Sequence, residues 1–404
     1  MIKLKFKSQK FDLPLFLAAF LLCILSALVI YSAKHSSSSP FGNTLYLKQI
    51  LWIFLGVAAA SLLFFVPLRF HEVFSYVYYG VGIALLLALF VLGSSRWFGF
   101  GPFNFQPSEF LKVAFVLALA RFFTYSKRSI YSFSWIGMAL FLVLLPFLLV
   151  LRQPDLGTSL VFLFVFMVML FWSGVPYLYV VIVVSPLVSL ICGFNLFAWA
   201  VFFPLLILLL YYLRPNFLFS LGVLITNLAF GSVSLLVWNN LHQYQQSRIL
   251  VFLNPGIDPH GAGYQVIQSK VAIGSGGLLG KGFLQGTQTK LDFLPAQHTD
   301  FAFSVLGEEM GFLGALVLVF IFSYIVFKGF QMARKARNLF ASYVAAGIIS
   351  IFAFQVVVNI GMALGIMPVT GLPLPFVSYG GSSMIAFWIL LGLLLVIQSK
   401  WHEY

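Results

Sequence analysis

The chain has 404 residues, of which 61% are apolar and only 8% are charged, whereas a soluble domain carries about 25% charged residues. This composition excludes an ordinary soluble fold and predicts an all-α polytopic membrane protein, because the alternating segments of an outer-membrane barrel are absent. The net charge of +13 comes from basic residues between apolar segments, and no arginine-rich helix or soluble domain suggests a nucleic-acid partner.

Twelve apolar segments along the chain are long enough to cross a bilayer. We predict spans at residues 13–33, 48–66, 74–93, 107–124, 134–151, 156–173, 176–194, 196–213, 217–238, 301–327, 340–364 and 380–398. Cys23 and Cys192 both lie inside apolar segments, so no disulfide framework is expected. The basic N-terminus resembles the start of a signal peptide, but the apolar segment after it lacks a small-residue cleavage site. This favours an uncleaved first span.

The basic residues on short connections predict the orientation of these spans. With residues 1–12 in the cytoplasm, thirteen of the 23 lysines and arginines lie on that side, as the positive-inside rule requires. The tail 399–404 is then also cytoplasmic. The long hydrophilic loop 239–300, between the N-terminal bundle 13–238 and the C-terminal helices 301–398, lies outside. Loops of this length are commonly functional, so we expect the chemistry on the outer face of the membrane.

The fourth span begins with the sequence Q-P-S-E-F-L-K, which contains Glu109 and Lys112. Their spacing of three puts both side chains on one helix face, where they can pair. Ionisable residues in a span are energetically expensive and are therefore functional candidates. The pair is either a structural anchor of the helix or a lysine in the wall of a site, oriented by its glutamate.

The sequence R-Q-P-D-L-G-T places Asp155 directly before the sixth span, on the same side of the membrane as the long loop. Aspartate is a favoured residue for capping a helix N-terminus, so Asp155 is a candidate both for capping and for the site.

The long loop contributes positive charge through Arg248, Lys270 and Lys281. Its glycines between residues 274 and 282 permit close backbone approach, but they match neither a Walker loop nor a dinucleotide-binding motif. Two interpretations stay open for this segment: it binds phosphate, or it folds over the helical bundle.

Asp300 stands at the start of an apolar span, two residues after His298. A partly desolvated carboxylate near lysines is suited to act as a general base. Helix capping explains the position of Asp300 equally well. A metal site formed with Asp292 and His298 is a third hypothesis, although the spacing matches no compact metal-binding motif.

Several motifs resemble those of the SEDS family (shape, elongation, division, sporulation), in the family's order. They are Q-P-S-E-F-L-K, R-Q-P-D-L-G-T-S, the loop sequence from G-A-G-Y-Q-V-I-Q-S-K to H-T-D-F-A-F-S-V-L-G-E-E-M-G, and N-I-G-M-A-L-G-I-M-P-V-T-G-L-P-L-P-F-V-S-Y-G-G-S-S. The resemblance extends from about residue 13 to 398. It implies a peptidoglycan glycosyltransferase that polymerises lipid II at the outer face of the bacterial cytoplasmic (inner) membrane. The G-T-Q sequence at 286–288 resembles the elongation (RodA-like) branch, since the division (FtsW-like) branch has a G-N-S-type sequence there.

The resemblance also implies roles for single residues. Asp300 matches the family's essential loop aspartate and is the expected catalytic base of an inverting transfer. The expected substrate-binding residues are Glu109, Lys112, Asp155, Arg248, Lys270, Lys281 and His298. No resident metal is expected and no cofactor is required by these motifs, while a divalent cation stays open. The implied partners are lipid II, the nascent glycan, the lipid bilayer and a class B penicillin-binding protein.

The chain departs from the family's usual ten spans by an additional segment, predicted to be an inserted pair of spans within 196–238. An inserted pair preserves sidedness, so the loop stays outside. Two other functions remain open. Intramembrane charges would also serve a lipid II flippase or transporter, although no internal repeat is evident. A non-catalytic scaffold for other wall enzymes is the third class.

Overall fold

The structure is a computed structural model that describes residues 12–35, 44–93, 96–100, 103–126, 133–175, 177–193, 196–240, 246, 262–291, 293 and 296–399. The helices are α1 (Leu13–His35), α2 (Leu45–Phe65), α3 (Leu68–Val91), α4 (Pro107–Tyr125), α5 (Phe133–Arg152), α6 (Leu156–Trp172), α7 (Tyr177–Cys192), α8 (Leu196–Leu213), α9 (Phe217–Asn240), α10 (Ala262–Gly276), α11 (Thr287–Lys290), α12 (Ala302–Lys335), α13 (Leu339–Ala363) and α14 (Gly381–Ser399). An antiparallel hairpin of β1 (Phe98–Phe100) and β2 (Phe103–Phe105) precedes α4. The predicted all-α polytopic architecture is confirmed.

Eight helices among the described residues are long and apolar enough to cross a membrane, namely α1, α2, α3, α8, α9, α12, α13 and α14. Helices α5, α6 and α7 contain shorter apolar stretches. Helix α4 carries three charged side chains, Glu109, Lys112 and Arg121. Both helices of the predicted inserted pair are thus present, while the total of twelve spans stays a prediction.

Helix α3 begins at Leu68 rather than at the predicted residue 74. The residue before it, Pro67, is the N-cap and has an extended backbone (φ −66°, ψ 143°). Polar residues in the first turns hide this start from a hydropathy pattern. His71 and Glu72 are nevertheless buried, and Arg121 of α4 donates to the Glu72 backbone oxygen at 3.0 Å.

The centre of the bundle is formed by α4, α13 and α14. Every residue from Leu111 to Ala120 of α4 is buried. A Cβ added to Gly347 of α13 would lie 2.7 Å from Val116 Cγ1 of α4 and 2.8 Å from Met169 Sδ of α6. A glycine is needed there because three helices meet, which is the usual use of small residues between membrane helices.

The helices α8 and α9 pack mainly on α7 at the edge of the bundle. Hydrogen bonds among Ser185, Ser189, Trp199 and Asn227 join α8 and α9 to α7, and we call these four residues the polar seam. The amide of Asn227 donates to Ser185 Oγ at 2.8 Å, and Ser189 Oγ donates to the Asn227 backbone oxygen at 2.7 Å. Trp199 Nε1 donates to Ser189 Oγ at 3.0 Å. The seam fixes the register of the pair, because apolar contacts alone have little driving force between helices in lipid.

Close packing at the polar seam predicts that Gly231→Leu pushes α9 away from Trp199 of α8 and Ser189 of α7. A Cβ at this position would overlap Trp199 Nε1 and lie 3.0 Å from Ser189 Oγ. We expect a loss of about 1–3 kcal/mol of unfolding free energy from overpacking, measured as a lower Tm in detergent. Gly222→Leu in the same helix is the matched control, because nothing lies within 4 Å of its added Cβ. Equal Tm values for the two variants would contradict the packing described.

Candidate functional site

Three segments meet at one end of the bundle: residues 262–291, the turn 296–301 before α12, and residues 364–380 between α13 and α14. We call this end the loop end. The N-termini of α4 and α6 and the β1–β2 hairpin lie at the same end, since Gln106 and Asn104 bond to Ser382 of α14. The candidate site is built from these segments.

The turn carrying Asp300 is held through three consecutive backbone carbonyls. The carbonyl of His298 accepts the Tyr379 backbone N–H at 2.8 Å. The carbonyl of Thr299 accepts Ser378 Oγ–H at 2.5 Å. The carbonyl of Asp300 accepts Asn359 Nδ2–H at 2.9 Å. Because these bonds involve the main chain, they hold the turn in addition to the contacts that the Asp300 side chain makes.

The Asp300 side chain is partly exposed and faces the segment 364–380. A Cβ added to Gly371 would lie 3.6 Å from Asp300 Oδ2, and the positive φ of Gly371 (74°) also favours glycine. The His298 ring centroid lies 5.7 Å from that of Tyr379. Burial raises the pKa of the Tyr379 hydroxyl above its ordinary value, so this group is a neutral neighbour of the site at physiological pH.

Asp155 caps helix α6, as one of its two interpretations predicted. Its Oδ1 accepts the Thr158 N–H and its Oδ2 accepts Thr158 Oγ1–H, both at 3.1 Å. Gln106 Nε2 donates to Oδ2 at 3.4 Å. The cap lies near the Asp300 turn, since a Cβ on Gly157 would lie 2.6 Å from the carbonyl of Thr370, the residue before Gly371. Asp155 is thus both a cap and a neighbour of the site wall.

Glu109 and Lys112 form the predicted ion pair, with Lys112 Nζ 2.8 Å from Glu109 Oε1. Both side chains are almost completely buried, with Lys112 at 1% exposure and Glu109 at 2%. The ammonium also lies 5.8 Å from the ring centroid of Phe387 on α14. The ion pair is therefore buried at the contact between α4 and α14 and does not reach the surface of the protein.

The predicted loop cations lie in different surroundings. Lys270 is exposed and its side chain runs along Gly365, because a Cβ added there would overlap Lys270 Cε. This places the amine at the C-terminal end of α13, where helix carbonyls favour a cation. Lys281 pairs with Glu308 at 2.9 Å. Arg248 lies outside the described residues.

Helix α12 is interrupted at Gly311, whose backbone (φ 66°, ψ −164°) is not helical. The turn 277–282 fills the interruption with four backbone hydrogen bonds, Phe312 N–H to Gly277 O (2.9 Å), Leu313 N–H to Leu278 O (3.1 Å), Lys281 N–H to Glu308 O (3.1 Å) and Gly282 N–H to Glu309 O (3.0 Å). Each of these groups gains the partner that a buried backbone group requires. A Cβ on Gly280 would overlap Glu309 O. The glycines therefore serve backbone-to-backbone packing, which favours the folding-over interpretation over phosphate binding.

Glu308 ties the same loop to α12 through its side chain. The carboxylate is completely buried and accepts five hydrogen bonds, from Lys281 Nζ (2.9 Å), Thr287 Oγ1 (3.1 Å), Gln288 N (2.9 Å), Thr289 N (3.2 Å) and Thr289 Oγ1 (2.9 Å). It thereby caps the short helix α11 and holds the G-T-Q sequence in place. We call this arrangement the Glu308 clamp. Sequence reasoning missed it, although two adjacent glutamates at the start of an apolar span require partners and were the available signal.

The metal hypothesis finds no support in the part of the chain that the structure describes. Among these residues no group of three His, Cys, Asp or Glu side chains could hold a metal ion. Asp292, the third member of the proposed set, lies outside the described residues. The hypothesis therefore stays untested at that position.

Comparison with known proteins identifies the family. The profile FTSW_RODA_SPOVE, described as "Cell cycle protein", matches residues 13–203 and 197–403. The chain belongs to this family. The profile match is divided within α8, at the inserted pair, and its two parts together include all the site residues named above.

Two curated relatives and one solved structure resemble the chain over nearly its whole length. Peptidoglycan glycosyltransferase RodA of Treponema pallidum is 35% identical over 429 residues, covering 96% of this chain and 98% of the relative. Peptidoglycan glycosyltransferase MrdB of Escherichia coli is 36% identical over 389 residues, covering 94% and 92%. A chain solved in work on "polymerization and crosslinking by a peptidoglycan synthase complex" matches with a TM-score of 0.73, 32% identity and coverage of 98% and 99%.

The Glu308 clamp predicts that Glu308→Gln releases the segment 281–291. Glu308 is completely buried but Lys281 is 25% exposed, so breaking this pair costs less than the about 3–5 kcal/mol of a fully buried one. In addition, the NH₂ group of the Gln amide would face donors instead of accepting from them. We expect faster hydrogen exchange at Thr287 to Lys290 and a lower Tm. The matched control is Lys290→Gln, an exposed change in the same short helix. Unchanged exchange in Glu308→Gln would contradict the clamp.

Proposed function

We infer that this chain is a peptidoglycan glycosyltransferase that polymerises lipid II into glycan strands during cell elongation. The relatives named RodA and MrdB support this activity. The observation in this chain that carries the proposal is the Asp300 turn, which is held by its backbone and keeps a partly exposed carboxylate at the loop end. The chain is a multi-pass protein of the bacterial inner membrane, and the loop end is proposed to face the extracytoplasmic side.

The proposed reaction is an inverting glycosyl transfer. The 4-hydroxyl oxygen of a lipid-linked GlcNAc forms a bond to C1 of a MurNAc. The bond between that C1 and undecaprenyl pyrophosphate breaks, and the pyrophosphate leaves with the electron pair. Asp300 accepts the proton of the attacking hydroxyl. A base positioned in this way contributes about 10²–10⁴-fold to the rate.

The leaving pyrophosphate needs positive charge nearby in a partly dry site. Lys281 and Lys112 are already paired with Glu308 and Glu109. Lys270 is exposed beside the C-terminal end of α13, so we propose that it contacts the pyrophosphate directly. Lys281 would then act by holding the loop, and the Glu109–Lys112 pair by shaping the wall beneath it. Arg248 stays a candidate cation.

The proposed wall residues are His298 and Asp155. His298 lies two residues from the base and beside Tyr379, where it can contact the sugar of the substrate. Asp155 holds the start of α6 against the segment that faces Asp300. A divalent cation at the pyrophosphate remains open, and no step above depends on one.

A class B penicillin-binding protein is the proposed partner. A transpeptidase uses the glycan strands that a polymerase makes, so coupling the two avoids release of uncrosslinked strands. The similar solved chain described above comes from a complex of this general kind. The docking surface on this chain stays unassigned.

The proposal predicts that Asp300→Asn lowers the rate of lipid II polymerisation in detergent by about 10²-fold or more, because the amide accepts no proton. The matched control is Asp12→Asn. Asp12 is buried and caps α1 at the opposite end of the bundle through a 3.1 Å bond from the Leu15 N–H, and asparagine caps equally well. We expect the control to polymerise at the wild-type rate.

Gel analysis of glycan products from purified lipid II measures both variants. A near wild-type rate for a folded Asp300→Asn would overturn the base assignment. Because detergent removes the two sides of a membrane, glycan chains formed there cannot come from flipping. Absence of glycan products from the wild-type chain, under conditions where it binds lipid II, would instead favour the flippase.

A further inference from the structure

The turn that fills the interruption of α12 exposes two large apolar side chains. Leu278 is 71% exposed and Leu279 is 78% exposed, and glycines precede and follow them. We call residues 277–280 the leucine turn. Adjacent exposed leucines at a tight turn are unfavourable in water, so the surroundings of this turn need an explanation.

Helix α12 gives a first measure of the depth of the leucine turn. Its uninterrupted part, residues 312–335, is about 36 Å long at 1.5 Å per residue, slightly more than the hydrocarbon core of about 30 Å. The carbonyls of Gly277 and Leu278 bond to the first two N–H groups of this part. The turn therefore lies at the boundary of the hydrocarbon core.

Helix α1 gives a second and independent measure. Its apolar span covers Leu13–Ala33. The ring of Phe283, just after the leucine turn, stacks on Tyr31 with a centroid distance of 6.4 Å. Gln297 Nε2 donates to the Ala33 carbonyl at 2.7 Å. The segment that follows the leucine turn thus meets α1 within the last turn of its apolar span, which agrees with the depth inferred from α12.

The apolar surface continues from the leucine turn along α12. Phe312, Val317 and Phe320 are 58%, 55% and 64% exposed and lie on the part of the helix that crosses the membrane. Exposed apolar side chains on a helix that crosses the membrane face lipid or another membrane helix, and the continuity of this surface favours lipid as the occupant around the neighbouring leucines. Exposed contiguous apolar surface on a protein marks a site of contact with a membrane or with another protein.

We propose that the leucine turn inserts Leu278 and Leu279 into the acyl-chain region of the leaflet at the loop end. The turn is bonded to α12 on both sides of Gly311, and the Glu308 clamp joins the next segment to the same helix. The Asp300 turn begins that helix. Insertion therefore sets the height of the Asp300 carboxylate relative to the lipid phosphates. The contact with lipid does not depend on the proposed activity.

Site-directed spin labelling of the full chain in liposomes of phosphatidylcholine and phosphatidylglycerol tests the insertion. A background of Cys23→Ala and Cys192→Ala removes both cysteines, and Leu279→Cys carries the nitroxide. Power saturation compares collisions with oxygen, which concentrates in the acyl region, and with a water-soluble nickel chelate. Leu278→Cys serves as a second site if one labelled variant fails to fold.

Two control sites give the collision rates expected for a lipid-exposed and for a water-exposed nitroxide. Phe320→Cys reports a lipid-facing position in the middle of α12, and Lys290→Cys reports an exposed loop position. We expect residue 279 to collide mainly with oxygen, as residue 320 does, and at least several-fold less with nickel than residue 290. Nickel accessibility equal to that of residue 290 would overturn the proposal. Protection from both reagents would also overturn it, because protein would then cover the turn.

Discussion

Three hydrogen bonds to the consecutive carbonyls of residues 298–300 determine how the site is arranged. They come from Tyr379, Ser378 and Asn359, which lie on or just before α13 and α14, two of the three helices at the centre of the bundle. Asn359 also donates to the Leu372 carbonyl at 2.8 Å. Its amide therefore joins the Asp300 turn to the segment 364–380. These main-chain bonds anchor the Asp300 turn in addition to the contacts that the carboxylate itself makes.

The chain has only ten acidic residues, and most of those in the described part have a structural partner. An ionised group in an apolar bundle is costly unless it is paired. Asp12 lies 3.6 Å from Lys328, Glu109 pairs with Lys112, and Glu308 pairs with Lys281. Asp155 caps a helix and Glu309 accepts from Ser32. Most described acids thus have a cation or a hydrogen-bond donor as partner, and the turn that carries the partly exposed Asp300 is also held by main-chain bonds.

Local sequence patterns predicted most of the membrane helices and two of the interactions of the acidic residues. Apolar periodicity located most of the spans to within a few residues, although α3 begins earlier and α12 ends later than predicted. The spacing of three predicted the Glu109–Lys112 pair, and the position before α6 predicted the Asp155 cap. The Glu308 clamp was not predictable, because its partners lie 19 to 27 residues away and meet it only when the helix breaks at Gly311. The bond from Asn359 to residue 300, across 59 positions, likewise depends on how α12 and α13 pack. Lys281 carried the right charge for phosphate, but only the fold reveals that a buried glutamate takes it.

The rate of lipid II polymerisation by Asn359→Asp tests most directly whether the backbone anchor positions the base. This change keeps the shape of the side chain but replaces the donor to two carbonyls by a carboxylate that repels them. Asn338→Asp is the matched control, because Asn338 caps α13 by accepting the Phe340 N–H at 2.8 Å and aspartate accepts equally well. We predict a loss of about tenfold or more in rate for Asn359→Asp, consistent with a misplaced catalytic group, with lipid II binding retained and the control unaffected. A folded Asn359→Asp that polymerises at the wild-type rate would contradict the account.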